Sequence, residues 1–143
     1  MRGLLDVNVL IALLDEAHVH HRSATDWLTG NIRHGWASCP LTQIGCIRIM
    51  SQPAYPNPQP AALVAERLRM AAQDRHHEFW SAGVDLLSGR SIAWEGVLGS
   101  RFVTDAYLLS LAVAHRGRFV TFDRRVPVAA VPGAGERHLV VIE

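Results

Sequence analysis

The sequence contains no lysine, so all 14 of its basic residues are arginine. No lysine is therefore available for a phosphate-binding loop or for covalent catalysis. Arginine forms planar, two-point contacts with phosphate groups that lysine cannot form, although a GC-rich genome would explain the same bias. Because the formal net charge is only +1, any binding of RNA or DNA would depend on a local basic patch.

Cysteine is also scarce, and long apolar runs are absent. Cys39 and Cys46 are the only two cysteines and lack a zinc-type spacing, so we expect both to be reduced and buried. The apolar stretch 7–14 is far shorter than the roughly 20 residues of a membrane span. No secretion signal pattern opens the sequence. We therefore expect a cytoplasmic protein that makes no membrane contact.

The 143 residues are 49% hydrophobic and 19% charged, which is typical of one globular domain spanning 1–143. Strands are predicted at 2–6, 36–38, 77–80, 118–122 and 138–142. Helices are predicted at 7–14, at 20–28 (beginning at His20 or Ser23 and ended by Gly30), at 40–50, 61–72 and 105–115, with a short one at 92–98. A proline-rich loop fills 52–60. This alternation predicts an α/β fold with a short, mostly parallel central sheet flanked by helices.

Three aspartates stand where an apolar run meets the next element. Asp6 ends the first strand, Asp123 ends the strand 118–122, and Asp105 opens a helix. Sites in parallel sheets form at the carboxyl ends of the strands, so this fold would bring the three acids into one cleft. A carboxylate against a hydrophobic core needs a positive partner. A hard divalent cation is the simplest shared one.

Asp105 is the most informative of the three acids. At helical spacing it shares a face with the apolar residues Leu108 and Ala112. The alternative role is electrostatic, because an acid at a helix N-terminus stabilises the helix. Thr104 can cap that helix without help, so the alternative does not explain why the acid points inward. Asp6 alone is equally compatible with turn formation. For Asp123 the alternative is a turn residue with a local ion pair to the arginines that follow it, and the pattern favours function over that alternative.

Several polar residues lie near the predicted cleft. Gln43 interrupts an apolar helix and can hydrogen-bond water or a carboxylate there, although a solvated helix face explains it nearly as well. Arg48 lies five positions later and suits an acid or a phosphate group. The clustered histidines His18, His20 and His21 precede a helix, and solvated or capping roles suit them better than metal binding.

Three segments together resemble the PIN domain, and more narrowly the VapC toxins of VapBC toxin–antitoxin pairs. The matching segments are Leu5-Asp6-Val7-Asn8-Val9-Leu10, Thr104-Asp105-Ala106-Tyr107-Leu108 and Thr121-Phe122-Asp123-Arg124. Cys39-Pro40-Leu41-Thr42-Gln43-Ile44-Gly45 with Arg48 also resembles an actinobacterial subgroup of these toxins. The resemblance spans nearly the whole chain and implies a three-layer PIN-like fold.

The resemblance implies a metal-dependent endoribonuclease that uses Mg²⁺ or Mn²⁺. The family's metal-binding and catalytic acids fall on Asp6, Asp105 and Asp123. The family usually has a further glutamate where this sequence has Gln43, which is predicted to orient water in the catalytic site. The residues expected to contact the substrate are Asn8, Arg48, Thr104 and Arg124.

The resemblance also implies partners. A small VapB-type antitoxin would cover the acidic cleft, and a homodimer or a heterotetramer or larger assembly with the antitoxin would form. Family analogy favours a tRNA or an rRNA loop as the RNA substrate, whose cleavage would inhibit translation and growth. One alternative is an inert RNA-binding protein with a PIN fold. A second is an aspartyl-phosphate enzyme with Asp6 as nucleophile, which the absence of lysine argues against.

Overall fold

The computed structural model describes all residues from Met1 to Glu143 and contains five strands and five α-helices. The strands are β1 (Gly3–Leu5), β2 (Trp36–Ser38), β3 (His77–Phe79), β4 (Arg118–Thr121) and β5 (Leu139–Val141). The helices are α1 (Val7–Leu14), α2 (His21–Asn31), α3 (Pro40–Met50), α4 (Ala61–Ala71) and α5 (Val103–Ala114). No helix has the length and hydropathy needed to cross a bilayer.

The strands form one sheet in the order β3-β2-β1-β4-β5, and all four pairings are parallel. This confirms the predicted α/β fold class, with a sheet that is parallel throughout. The carboxyl ends of all five strands consequently lie at one edge, which we call the carboxyl edge. The central strand β1 ends there directly before Asp6, and its neighbour β4 ends two residues before Asp123.

The side chains of the central strands alternate between two cores. Leu4 and Phe119 pack with α5 on one face of the sheet. Leu5 and Val120 pack on the other face, together with side chains of α1, α3 and α4. Period-two alternation of buried side chains is what a strand covered on both faces requires. The result is the three-layer arrangement implied by the resemblance.

Two helices next to the site begin where the sequence predicts. The Asp6 side chain accepts a hydrogen bond from the Val7 N–H at 2.7 Å and caps α1. Pro40 occupies the first turn of α3, where its fixed φ suits a helix and its missing N–H is not needed. The predicted bounds 7–14 and 40–50 are confirmed. Both cysteines are free and buried, as expected.

Other boundaries differ from the predictions. Gly30 does not end α2, which continues to Asn31; Gly35, with a φ of 76°, follows the short turn that ends this segment. The predicted helix 92–98 is only a 3₁₀ turn, Trp94–Gly96. A second 3₁₀ turn, Ser100–Phe102, leads directly into α5, so that helix begins two residues before Asp105 and Thr104 does not cap it.

Candidate active site

Asp6 is held in a fixed orientation at the carboxyl edge. One carboxylate oxygen accepts the Val7 N–H, and the other accepts the hydroxyl of Thr121 at 2.6 Å. The residue is only 8% exposed. Burial raises the pKa of Asp6, the two hydrogen bonds oppose that rise, and the charge of Asp123 adds to it. Asp6 is therefore more than a helix cap, because its second oxygen is tied to a neighbouring strand.

Thr121, the last residue of β4, connects the site and is a residue that sequence analysis missed. Its buried hydroxyl donates to Asp6, accepts the Asp123 N–H at 3.1 Å and accepts the Asn8 amide at 3.4 Å. One donor and two acceptors fill the capacity of a hydroxyl group. The available signal was a hydroxyl residue in an apolar strand, two positions before an acid.

Asp105 lies in the first turn of α5, half-buried, on the same side as the other two acids. Its pKa is raised to about 7, first by burial and then by the negative charges of Asp6 and Asp123. Asp6 and Asp123 therefore lie close enough to Asp105 for their charges to act on it. Neither Asp6 nor Asp105 forms a salt bridge, and Asp123 pairs only with Arg125, at 3.5 Å. The Asp123 side chain also accepts the Arg125 N–H, as the predicted turn at Asp123 requires.

The donor atoms at this site suit a hard cation. The Asn8 side-chain oxygen is buried without a hydrogen-bond partner, and the amide of the same side chain donates to Thr121, which also binds Asp6. Oxygen donors of this kind are what Mg²⁺ prefers. No three acidic, histidine or cysteine side chains converge closely enough to share an ion directly. The arrangement therefore fits an ion held through one or two carboxylates and water, the usual mode for Mg²⁺.

A cavity of about 270 Å³ opens beside Asp6 and contains two of the predicted substrate-binding residues, Arg48 and Thr104. The face of α3 that lines it carries Leu41, Ile44, Gly45 and Arg48. These positions follow helical spacing. Arg48 is exposed and forms no salt bridge. Its guanidinium group is thus free to bind an anion at the cavity.

Gln43 lies outside this cluster. It occupies a different face of α3 and lines a groove against α4 with Leu68 and Arg69. Its amide donates to the Ser38 hydroxyl at 3.0 Å, not to a carboxylate. Gln43 therefore forms no hydrogen bond to a carboxylate of the cleft, because residue 43 does not share the 41–44–45–48 face, and its role in orienting water stays a prediction. Arg124 is exposed and pairs with Glu143 at 3.1 Å, and its contact with the substrate stays a prediction.

Comparison with known proteins gives concordant results. A family model described as PIN domain matches residues 3–132. Ribonuclease VapC44 of Mycobacterium tuberculosis is 52% identical over 142 residues, covering 99% of this chain and 100% of that protein. Ribonuclease VapC39 of the same species is 39% identical over 138 residues, covering 95% and 99%.

Two solved structures share the fold. The crystal structure of VapBC2 from Rickettsia felis, bound to a DNA fragment from its promoter, covers 100% of both chains with a TM-score of 0.67 and 13% identity. A toxin–antitoxin complex from Klebsiella pneumoniae covers 96% of this chain and 99% of that chain, with a TM-score of 0.55 and 20% identity. At these identities the two likenesses concern the architecture alone.

Proposed function

Because the chain belongs to the PIN-domain family, and within it to the VapC ribonucleases, we propose that it is a metal-dependent endoribonuclease toxin. The proposed reaction is hydrolysis of phosphodiester bonds in a structured RNA. The observation that carries the proposal is the cluster of Asp6, Asp105 and Asp123, in which the pKa of Asp105 is raised to about 7 and no cationic side chain pairs with it. A cluster that repels itself suits a site built for a cation.

Each residue has a proposed role. Asp6, Asp105 and Asp123 would hold Mg²⁺ or Mn²⁺, one or two of them directly and the remainder through water. A bound divalent cation supplies positive charge that polarises the scissile phosphate and activates water. Thr121 fixes the orientation of Asp6, since a hydroxyl donor at 2.6 Å restricts the carboxylate. The free guanidinium of Arg48 binds a phosphate oxygen of the RNA beside the cluster.

The proposed substrate is an unpaired loop of tRNA or rRNA, whose cutting would inhibit translation and growth. Single-stranded RNA exposes its bases and backbone to a protein surface in a way that an RNA duplex does not. We also propose a VapB-type antitoxin as partner, supported by the VapC relatives and by the VapBC complex that shares this fold. Residues 1–143 form the single domain that acts in this way.

We propose a homodimer as well. Side chains of α3, α5 and the segment between β3 and α5 line an apolar groove of about 410 Å³ that borders the acidic cavity. Leu41, Ile44 and Val103 in this groove are 38%, 60% and 40% exposed. Contiguous exposed apolar surface of this kind is typical of a protein interface.

The test is cleavage of total RNA by protein freed of antitoxin. We expect discrete cuts with Mg²⁺ or Mn²⁺, none with EDTA, and a loss of at least about 100-fold in Asp105→Asn, because a metal-holding carboxylate is removed. Asp26→Asn is the matched control, since Asp26 is an exposed acid on α2 that pairs only with Arg22. It should cleave like the wild type.

The same experiment separates the alternative of an inert RNA-binding protein. This alternative draws on the absence of any three side chains that share an ion directly. If the protein binds RNA but cuts it with neither Mg²⁺ nor Mn²⁺, the conclusion is that it is an inert RNA-binding protein and not a nuclease. Cuts that persist in EDTA or in Asp105→Asn would identify a contaminant or a different site.

A further inference from the structure

Two aromatic rings are stacked at the surface, and one of them belongs to Phe122, the residue directly before Asp123. The His20 ring lies on the Phe122 ring with centroids 4.8 Å apart and an interplanar angle of 29°. His20 is exposed, whereas Phe122 is partly buried against the core. The role that sequence analysis preferred for His20, solvation or capping, does not account for this pairing, since its side chain makes no capping hydrogen bond.

The course of α2 places this pair at the carboxyl edge of the sheet. At the far end of α2, Asn31 accepts a hydrogen bond from Arg118, the first residue of β4, at 3.0 Å. At the near end, His20 meets Phe122, which directly follows the last residue of β4. The helix therefore runs alongside β4, and His20, the residue before its first turn, contacts the residue that precedes Asp123.

The turn that carries His20 is braced. The His20 N–H donates to the Nδ1 atom of His18 at 3.0 Å. The His18 ring lies 5.7 Å from the His20 ring but is tilted by 45°, so it does not stack on it. The His20 ring lies on Phe122, and the His20 backbone is hydrogen-bonded to His18, so the ring is restrained before any ligand binds. This restraint lowers the entropic cost of stacking a further ring on it.

Nucleobases are the ligands that suit such a surface. Unpaired bases of RNA stack on histidine and phenylalanine rings, and this contact needs no particular base because every base has an aromatic face. The acidic cluster repels phosphate groups until a cation is bound, so a nearby apolar contact to a base would add affinity that charge does not supply.

We propose that His20, stacked on Phe122, forms a platform for one unpaired base of the RNA, next to the phosphodiester bond that is cut. This inference rests on the proposed function, since it assigns a base-binding role beside the same site. His20 is then a residue that binds substrate, and Phe122 is a positioning residue that acts through it.

The test measures binding of a fluorescein-labelled single-stranded oligoadenylate RNA by fluorescence anisotropy, in an Asp105→Asn background that prevents cutting. The same oligonucleotide made abasic keeps the phosphates and removes the rings. We expect the parent to bind the base-containing RNA more tightly than the abasic RNA. His20→Ala should weaken binding of the base-containing RNA by about 10-fold, the order expected for one stacked base. It should leave abasic binding unchanged.

Two further variants sharpen the comparison. His20→Phe keeps an aromatic ring and should retain binding within about 2-fold, because stacking is tolerant of ring identity. His34→Ala removes another exposed histidine, which precedes β2 at the amino ends of the strands. This variant should bind like the parent. Equal binding of both RNAs by the parent would overturn the platform. So would His20→Ala binding as tightly as the parent, or His20→Phe binding as weakly as His20→Ala.

Failure of this inference is distinguishable from failure of the proposed function. Metal-dependent cutting by the wild-type protein, together with no preference for bases over abasic sites, would reject the platform and leave the nuclease intact. A preference for bases that depends on His20, without any cutting, would reject the nuclease and support the platform.

Discussion

The carboxyl group of Asp105 lies half-buried beside two other acids, and no cation pairs with it. Its pKa of about 7 compares with an ordinary value of 3.8. A folded-state pKa above the unfolded value means that the folded protein binds more protons between these values. The contribution of Asp105 to stability therefore falls as pH rises from about 4 to about 7. The contribution of Asp6 to stability also falls as pH rises, because burial raises its pKa too.

The first prediction concerns the melting temperatures of wild type and Asp105→Asn in EDTA. The two should agree at about pH 4 and below, and the variant should be more stable by about 1–2 kcal/mol near pH 8, a value reduced for solvent screening. The difference is the appropriate readout, because burial lowers the pKa of His77 and gives the opposite slope in both proteins. Mg²⁺ should raise the melting temperature of the wild type more than that of the variant. A variant less stable than wild type at the higher pH would contradict this account.

The second prediction concerns Thr121, whose hydroxyl joins Asp6 to the loop that carries Asp123. Thr121→Val keeps the shape but leaves a buried carboxylate oxygen without its donor, at a cost of about 1–3 kcal/mol in urea unfolding. RNA cleavage should fall by about 10-fold, as for other groups that orient metal ligands. Thr121→Ser keeps the hydroxyl and should retain most cleavage. Equal cleavage by both variants would exclude a positioning role.

Between helices, the close approach of α1 and α3 forms one wall of the site. A Cβ atom at Gly45 would lie 2.6 Å from a methyl group of Val7, the residue after Asp6. Valine is β-branched and cannot easily rotate away. We therefore predict that Gly45→Ala destabilises the protein by about 1–3 kcal/mol, although alanine favours a helix over glycine by about 1 kcal/mol. Denaturant unfolding measures this change.

The matched control for Gly45 is Gly30, in the last turn of α2. A Cβ atom there meets nothing within 4 Å, so Gly30→Ala should stabilise the protein by about 0.5–1 kcal/mol through helix propensity alone. Adding Val7→Ala to Gly45→Ala should recover part of the loss by removing the clash. A neutral Gly45→Ala would show that the two helices separate without cost.

The elements were predictable where a local signal was strong. Pro40 marks the start of α3, and the bounds of α1 follow from an apolar run between Asp6 and Asp15. The start of α5 was not predictable, because a 3₁₀ turn merges with it without a capping side chain. The role of Gly30 was misjudged since glycine ends a helix only where the backbone adopts a positive φ, which here occurs at Gly35.

The site was predictable in part for a related reason. The acids Asp6, Asp105 and Asp123 are recognisable because a parallel sheet gathers strand ends at one edge. The orientation of Gln43 was not, because apolar residues occur on nearly every side of α3 and its periodicity does not identify the face toward the cleft. Thr121 could not be recognised from the sequence, because threonine is common in strands. Its role depends on a contact with Asp6, 115 positions away in the chain.

For the molecule as a whole, the proposed dimer makes the last prediction. Ile44 is 60% exposed in the apolar groove, and burying it against a second copy would remove that surface from water. Ile44→Glu would place a charge in this interface, which is costly without a partner. Light scattering should therefore find a dimer for the wild type and a monomer for the variant at micromolar concentration.

Leu98→Glu is the control, because Leu98 is 85% exposed and does not line the groove. It should remain a dimer. A monomeric wild type would leave the groove to the antitoxin, in which case Ile44→Glu should weaken antitoxin binding while Leu98→Glu should not.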